Sequence, residues 1–499
     1  MPSNIDQLRT LTSNDRLKFL LRDSILYGGS AAISKALALL TFPVLSRHFS
    51  VAEYGILDFF LGIGGLLATL FIFGQDSAVS RYFYEYTAFD ARQKLISQSL
   101  FFQIGLIIVA APILWIFADQ IISVVFPMKN NLYATELFRL ILLQFPFLLL
   151  INFSRNILKW TFDRKRFLTM TLGMSALQAS GILIAVFRFD ATIRTVLIVF
   201  LITNFIFGLL GLLFVRRWIV RPYNIFYLRE MLNYAFPMGL ICVTAAFLPT
   251  LERMLTERLL GSTDLGLFAA GSKIAMLIGL VIGAFQTAWG PFSLSVYKEE
   301  DASHTYNLVL RLFSFGVCLL VLLLTLFTGL IISILASNDY SGASVVVFPL
   351  CLGLAIQATS WISEVGIGIS KRSHLNIYPY LASLIISLSF IYFFVPYFGL
   401  LGIGLGVLSG HIAKALSASW LAQRAYPLPW SYKPILLLFL VTTFIGFVAG
   451  WLGQVVSPII ESTFIIFGLV ITSVLGFSLL FSREERRNLL KFIFKYIPS

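Results

Sequence analysis

The sequence predicts an all-α polytopic membrane protein with about 14 transmembrane helices. Three observations predict it: an extreme apolar composition, apolar runs of bilayer length, and Lys and Arg gathered on alternate connections. Of 499 residues, 58% are hydrophobic and only 12% charged, against roughly 25% charged in an ordinary soluble domain. A soluble fold cannot hide that much apolar surface. Runs of about 20 apolar residues, enough to cross a hydrocarbon core as a helix, fall near 24–45, 55–80, 95–118, 132–158, 167–189, 192–215, 232–255, 266–290, 307–336, 342–367, 376–395, 399–425, 434–454 and 459–482.

Cationic side chains orient these spans. With the N-terminus inside, cytoplasmic segments hold Arg9, Arg16, Lys18 and Arg22, then Arg81, Arg92 and Lys94, then Arg155, Lys159, Arg164, Lys165 and Arg166, then Arg216, Arg217, Arg221 and Arg229. Lys298, Arg311, Lys371, Arg372, Arg424, Lys433 and the bases of the tail continue the pattern. Few fall outside: Arg47, Lys129, Arg139, Arg188, Arg194, Arg253 and Arg258. Both termini are therefore expected in the cytoplasm. The net charge of +13 follows from this bias and from attraction to anionic lipid headgroups, so nucleic acid is not the expected partner. The charged first 23 residues and a first apolar run of full span length predict no cleavable leader. Cys242, Cys318 and Cys351 all lie in spans, which predicts neither a disulfide framework nor a metal site. The tail "SREERRNLLKFIFKYIPS" mixes bases with Leu489, Leu490, Phe492, Ile493 and Phe494, a composition suited to a short helix on the inner membrane surface.

"SRHFSVAEYG", the first external turn, meets "ERLLGSTDLG" after a shift of 211 residues, with Arg47 on Arg258, Glu53 on Asp264 and Gly55 on Gly266. Further on, Gln75 meets Gln286 and Tyr86 meets Tyr297. The shift aligns span one with span seven and span two with span eight in the same orientation. Six spans per unit is even, so the halves are expected to be parallel repeats about an axis along the membrane normal. The predicted organisation is a cytoplasmic segment 1–23, an N-lobe 24–215, a linker 216–231, a C-lobe 232–425, two further spans within 434–482, and the tail 483–499. Two such lobes around a central cavity suit alternating access. Arg47, Glu53, Arg253, Arg258 and Asp264 are candidates for the outer rim. They read either as gating contacts or as local ion pairs, which contribute little at a surface.

"FPVLSRHFSVAEYGILDF", "YAFPMGL" and "GLFAAGSKIAMLIGLVIGAFQTAWGPFSLSVYKEE" resemble the polysaccharide transporter family, the O-antigen and exopolysaccharide flippases of Wzx type. That family belongs to the superfamily of lipid II flippases and multidrug and toxin extrusion transporters. The resemblance spans the chain in topology and is sharpest in these two repeated regions. It implies a V-shaped cavity and movement of an undecaprenyl-diphosphate-linked oligosaccharide from the inner to the outer leaflet. A polysaccharide polymerase or chain-length machinery is an implied partner, beside membrane lipids.

Charges inside the spans fit an anionic cargo. Lys35 lies about 16 Å into span one, near the bilayer centre. Lys273 lies about two turns into span eight, and Lys414 near the middle of span twelve with His411 a turn before it. Each central Lys costs about 2.5–3.5 kcal/mol on insertion scales, so these cations need water or a partner. The acids Asp58, Asp76, Glu252 and Glu364 sit nearer span ends. Bases at the centre and acids at the rim favour an anion. The alternative for each Lys is snorkelling or helix packing. For Lys414 and His411 the Gly-rich "GLLGIGLGVLSGHIAK" makes a packed polar pair a direct competitor. Asn152 and Arg155, at the inner end of span four, either meet an incoming headgroup or anchor the interface. Gln75 and Gln286 are expected to hydrogen-bond between helices.

"GLFAAGSK" at 266–273 mimics a phosphate loop, but its Lys follows Ser, Ile comes next, and no strand precedes it. No nucleotide or other cofactor is expected, so a proton or sodium gradient, or sugar synthesis and removal, must drive transport. Gly402, Gly406 and Gly410 read as a close helix contact. A drug antiporter would need a buried carboxylate for its cation, and the central lysines argue against it. A membrane sugar polymerase or glycosyltransferase would carry catalytic residues on a substantial external loop, and the external loops here are short.

Overall fold

Hydropathy alone puts the helices in register. The computed structural model describes residues 13–86, 88–126, 131–221, 225–297, 299–370, 372–455 and 458–487. Among them every regular element is helical. Fourteen helices are long and apolar enough to cross a membrane: Leu26–His48, Val51–Ile72, Phe89–Ile116, Asn131–Trp160, Arg164–Phe189, Ile193–Trp218, Phe226–Leu260, Ser262–Gln286, Ala302–Leu326, Asn338–Ile369, His374–Phe398, Leu400–Ala425, Tyr432–Gly453 and Ile459–Leu480. They are numbered here as spans one to fourteen. The amphipathic reading of residues 488–499, and the placement of Arg9, Lys129, Lys298 and Lys371, fall outside the described residues.

Three apolar runs end in local breaks. Span two ends at Phe73 and Gly74, both left-handed with φ 42° and 70°, and the chain restarts as Gln75–Glu85. A Cβ on Gly74 would stand 2.5 Å from Ala235 O and from Gly239 N on span seven. Glycine is therefore required both by conformation and by space. Spans three and nine break at Phe117 and Phe327, each followed by an eight-residue helix, Ala118–Val125 and Thr328–Leu335. The two breaks lie 210 positions apart, close to the repeat shift, so the internal similarity extends to a local irregularity that composition does not dictate.

The chain divides into two compact units, residues 1–269 and 270–499, the boundary falling inside span eight. In the first unit, Phe59 stacks on Phe126 with ring centres 4.3 Å apart, and Phe60 and Phe145 are fully buried beside this apolar core. Gln144 on span four accepts from Asn204 on span six at 2.9 Å, a polar tie worth about 0.6 kcal/mol in comparable bundles. Span five carries a turn of π-helix at Thr169–Gly173. Ser34 of span one donates to the Thr171 carbonyl there, so the irregular turn faces span one. π-Turns of this kind recur at functional positions.

In the second unit, span twelve packs on spans ten and eleven through small residues. A Cβ on Gly402 would come 2.7 Å from the Val395 backbone, on Gly406 2.7 Å from Ile391 N, and on Gly410 2.7 Å from Ser387 Cβ. This is the close helix contact the four-residue spacing predicts. On span nine, Arg311 donates to both carboxylate oxygens of Glu485, at 3.2 and 2.8 Å, and to the Leu480 carbonyl at 2.7 Å. It thereby fastens the residues that follow span fourteen.

Candidate functional site

The intramembrane cations fall into three environments, which the helix packing decides. Lys35 lies on an exposed face of span one, with Ile33 on the same stretch 51% exposed. Gly28 and Gly29 below it meet nothing within 4 Å. An ammonium about 14 Å from the start of a 23-residue apolar helix is thus open rather than packed. Lys273, in the second unit, is half-buried on span eight.

Arg253 is held. Its Nε donates to Asp58 on span two at 2.8 Å, and its Nη1 to the Pro249 carbonyl at 3.0 Å. Asp58 is 5% exposed and Arg253 17%, so this is a desolvated pair tying spans two and seven. That partner stands on another span, 195 positions away. Toward the same end, Gly55 meets Gly266: a Cβ on Gly55 would lie 2.5 Å from Gly266 N. The two glycines that the repeat aligned therefore touch. At the other end, Tyr86 donates to Glu230 on span seven at 2.7 Å, which holds the phenol's pKa up at about 12. Arg81 stacks on the ring of Tyr234 at 4.7 Å. Span two and the helix Gln75–Glu85 that follows it thus meet span seven through polar contacts at both ends.

The remaining rim candidates are less organised. Arg47 and Arg258 are exposed, and Asp264 is half-buried in the first turn of span eight. Arg47 donates to the Pro43 carbonyl at 3.2 Å. Glu53 closes a capping box with Ser50, accepting from the Ser50 backbone N–H at 3.0 Å while Ser50 Oγ accepts from the Glu53 N–H at 3.3 Å. That task was legible in "SVAE", a Ser followed three positions later by Glu ahead of an apolar run.

Asn152, Arg155 and Lys159 follow one another at i, i+3 and i+7 on the last turns of span four, a single face. Asn152 and Arg155 are half-exposed, and Lys159 is exposed. The Arg155 guanidinium lies 6.0 Å from the Phe167 ring. Among the described residues no carboxylate stands within ion-pair distance of Arg155 or Lys159, although Asp76 is within electrostatic reach of Lys159. Gln75 accepts from Ser99 on span three at 3.1 Å, as expected of an interhelical contact. Gln286 is exposed.

Lys414 is the third case. It is 2% exposed, with Nζ 3.9 Å from the ring centre of Tyr380 and 5.7 Å from that of Trp361. His411 lies against span ten, where a Cβ on Gly353 would come 2.6 Å from the imidazole. Of the two readings the sequence left open for this pair, the packed one describes its surroundings. Glu364 accepts from Ser360 at 2.9 Å and lies within electrostatic reach of Lys414. Among the described residues no group of three His, Cys, Asp or Glu is placed to hold a metal ion.

Solved structures share this helical fold. The lipid II flippase MurJ in an inward closed conformation superposes with a TM-score of 0.72 over 91% of this chain and 99% of its own, at 16% identity. An inward-facing multidrug resistance MATE family transporter of the MOP superfamily gives 0.65 over 78% and 94%, also at 16%. The sequence profile of the polysaccharide biosynthesis protein family matches residues 20–296, and the chain belongs to that family. Lsg locus putative protein 1 of Haemophilus influenzae is 23% identical over 291 residues, 56% of this chain and 67% of that protein. The resemblance drawn from the two repeated regions is borne out.

Proposed function

We propose that the protein is a flippase that carries an undecaprenyl-diphosphate-linked oligosaccharide, a repeat unit of O-antigen, capsule or exopolysaccharide, from the inner to the outer leaflet of the cell membrane. The observation that carries this reading is Lys35, an exposed ammonium in mid-span. Facing lipid it would cost about 2.5–3.5 kcal/mol. Facing a water-filled cavity it is a fixed positive charge on the path of an anion. Membership of a polysaccharide biosynthesis family and the fold of a lipid II flippase support the same cargo class.

The diphosphate carries about one to two negative charges, and an unpaired charge in a low-dielectric region costs several kcal/mol. Lys35 and Lys273 each supply a positive charge that can neutralise it along its path. The Asn152, Arg155 and Lys159 face receives the headgroup at the inner leaflet. The Asp58–Arg253 pair, with Arg47, Glu53, Arg258 and Asp264 around it, closes the outer end. Both termini are cytoplasmic, and proton or sodium entry resets the carrier.

Proteoliposomes holding the protein and a labelled undecaprenyl-diphosphate-linked oligosaccharide test this reading. The label is expected to become accessible to an impermeant lectin on the far leaflet, while a cationic dye such as ethidium is not moved. Dye transport without lipid transport would make the protein a drug antiporter instead. Orientation is checked in intact cells: a cysteine replacing exposed Asn338 reacts with an impermeant maleimide from outside, and one replacing Asp163 does not. The reverse pattern overturns the direction of transport.

A further inference from the structure

Lys414 continues the small-residue stripe of span twelve. Gly402, Gly406 and Gly410 press on span eleven, and position 414 is the next at four-residue spacing, so the same register drives an ammonium into the helix interface. There Nζ has no hydrogen-bond partner among the described residues, and no carboxylate lies within ion-pair distance. Three N–H donors of an ammonium would all go unanswered.

The groups facing it set two influences against each other. The Tyr380 ring at 3.9 Å and the Trp361 ring at 5.7 Å offer their negative faces to a cation, and Glu364, at the end of span ten, adds an opposite charge at longer range. Burial without an acceptor works the other way. His411, one turn earlier on span twelve, has a buried Nδ1 without a partner and adds no compensating negative charge. A structural lysine would have its acceptors supplied. An amine balanced between supports and penalties changes charge when its surroundings shift by little.

We infer that Lys414 is a proton-binding site of the second unit, with Glu364 as its counter-charge and the Tyr380–Trp361 aromatic faces as its seat. The ammonium forms by taking one proton from water when spans ten to twelve loosen. The amine returns by releasing that proton when they close, and no other reactant is required. This rests on reading the protein as a transporter, whose cycle the bound proton would bias.

Two measurements on the full-length protein test it. In proteoliposomes with undecaprenyl-diphosphate-linked oligosaccharide, an imposed difference of one pH unit is expected to speed wild-type transport by up to about tenfold, the bias one proton carries per unit. Lys414→Met removes the titrating nitrogen, and Lys414→Arg keeps a charge that cannot be released. Both are expected to bring the ratio of transport with and without the pH difference to about one. Where the bulkier Arg does not fold, as judged by size-exclusion chromatography, Lys414→Gln and Glu364→Gln replace it. The second measurement needs no lipid: potentiometric titration of solubilised wild type against Lys414→Met, over the pH range in which both stay folded, is expected to differ by about one exchangeable proton per chain. Equal titrations, a wild-type ratio of one, or a Met or Arg variant with a wild-type ratio overturns the inference. Wild type that moves no lipid but shows the extra proton defeats the flippase reading and leaves the proton site standing.

Discussion

Lys35 and Lys414 are lysines at similar depth in two apolar helices, and the fold treats them in opposite ways. Span one is thinly covered: Lys35 is exposed, and Gly28 and Gly29 meet nothing within 4 Å. Span twelve is gripped along its glycine face, and Lys414 is 2% exposed between aromatic rings. Depth along a helix therefore does not say what an intramembrane charge does. The face it occupies does, and that face is set by the register of the small residues around it. Arg253 supplies the intermediate case, a cation held by a desolvated carboxylate.

The first effect separates the two helices. Gly406→Val would drive a side chain into the Ile391 backbone, overpacking that costs about 1–3 kcal/mol or more. The yield of folded protein by size-exclusion chromatography is expected to fall about tenfold or more, while Gly28→Val leaves it unchanged. Equal losses would erase the contrast. Larger in free energy is the held cation. Arg253→Gln strands Asp58 in the interior and is expected to destabilise the fold by about 3–5 kcal/mol, read as a lower melting temperature. Adding Asp58→Asn should recover most of that loss. If the double variant melts with the single one, the two side chains do not act as a pair.

The smallest effect lies at the tail. Burial pushes the Glu485 carboxyl up, but the Ser482 N–H at 2.7 Å and the Arg311 guanidinium outweigh it and hold the carboxyl below the ordinary carboxylate range. A lowered carboxyl contributes stability above its unfolded value, about 4.3, and loses it as the pH falls through the lowered one. The melting-temperature gap between wild type and Glu485→Gln is thus expected to be full at about pH 6–7 and to close below about pH 4. A gap independent of pH would make the contact a matter of packing.

All fourteen spans were legible in the sequence, because a bilayer demands about 20 apolar residues per crossing whatever lies on the other faces. The shift of 211 residues pairs Gly55 with Gly266, and these two glycines touch. The breaks at Gly74, Phe117 and Phe327 were not legible, since each is a local turn of backbone that hydropathy does not specify. Partners were the least readable part. Asp58 and Arg253 are 195 positions apart, and nothing local joins them. Lys414 was half legible: the spacing of Gly402, Gly406 and Gly410 marked a packed face, and extending it one step would have placed the lysine on it. Lys35 has no such stripe beneath it, and its open face agrees with the reading of a charge left for something other than the fold.

The central claim is that Lys35 acts through a fixed positive charge on the cargo's path, and one comparison tests it most directly. Flipping of labelled undecaprenyl-diphosphate-linked oligosaccharide is measured in proteoliposomes at equal amounts of folded wild type, Lys35→Gln and Lys35→Arg. Loss of a desolvated contact between a cation and a phosphate, worth about 1.4 kcal/mol or more, slows Lys35→Gln about tenfold or more, and Lys35→Arg restores most of the rate. A Gln variant that flips as fast as wild type, or an Arg variant as slow as the Gln variant, would contradict the account.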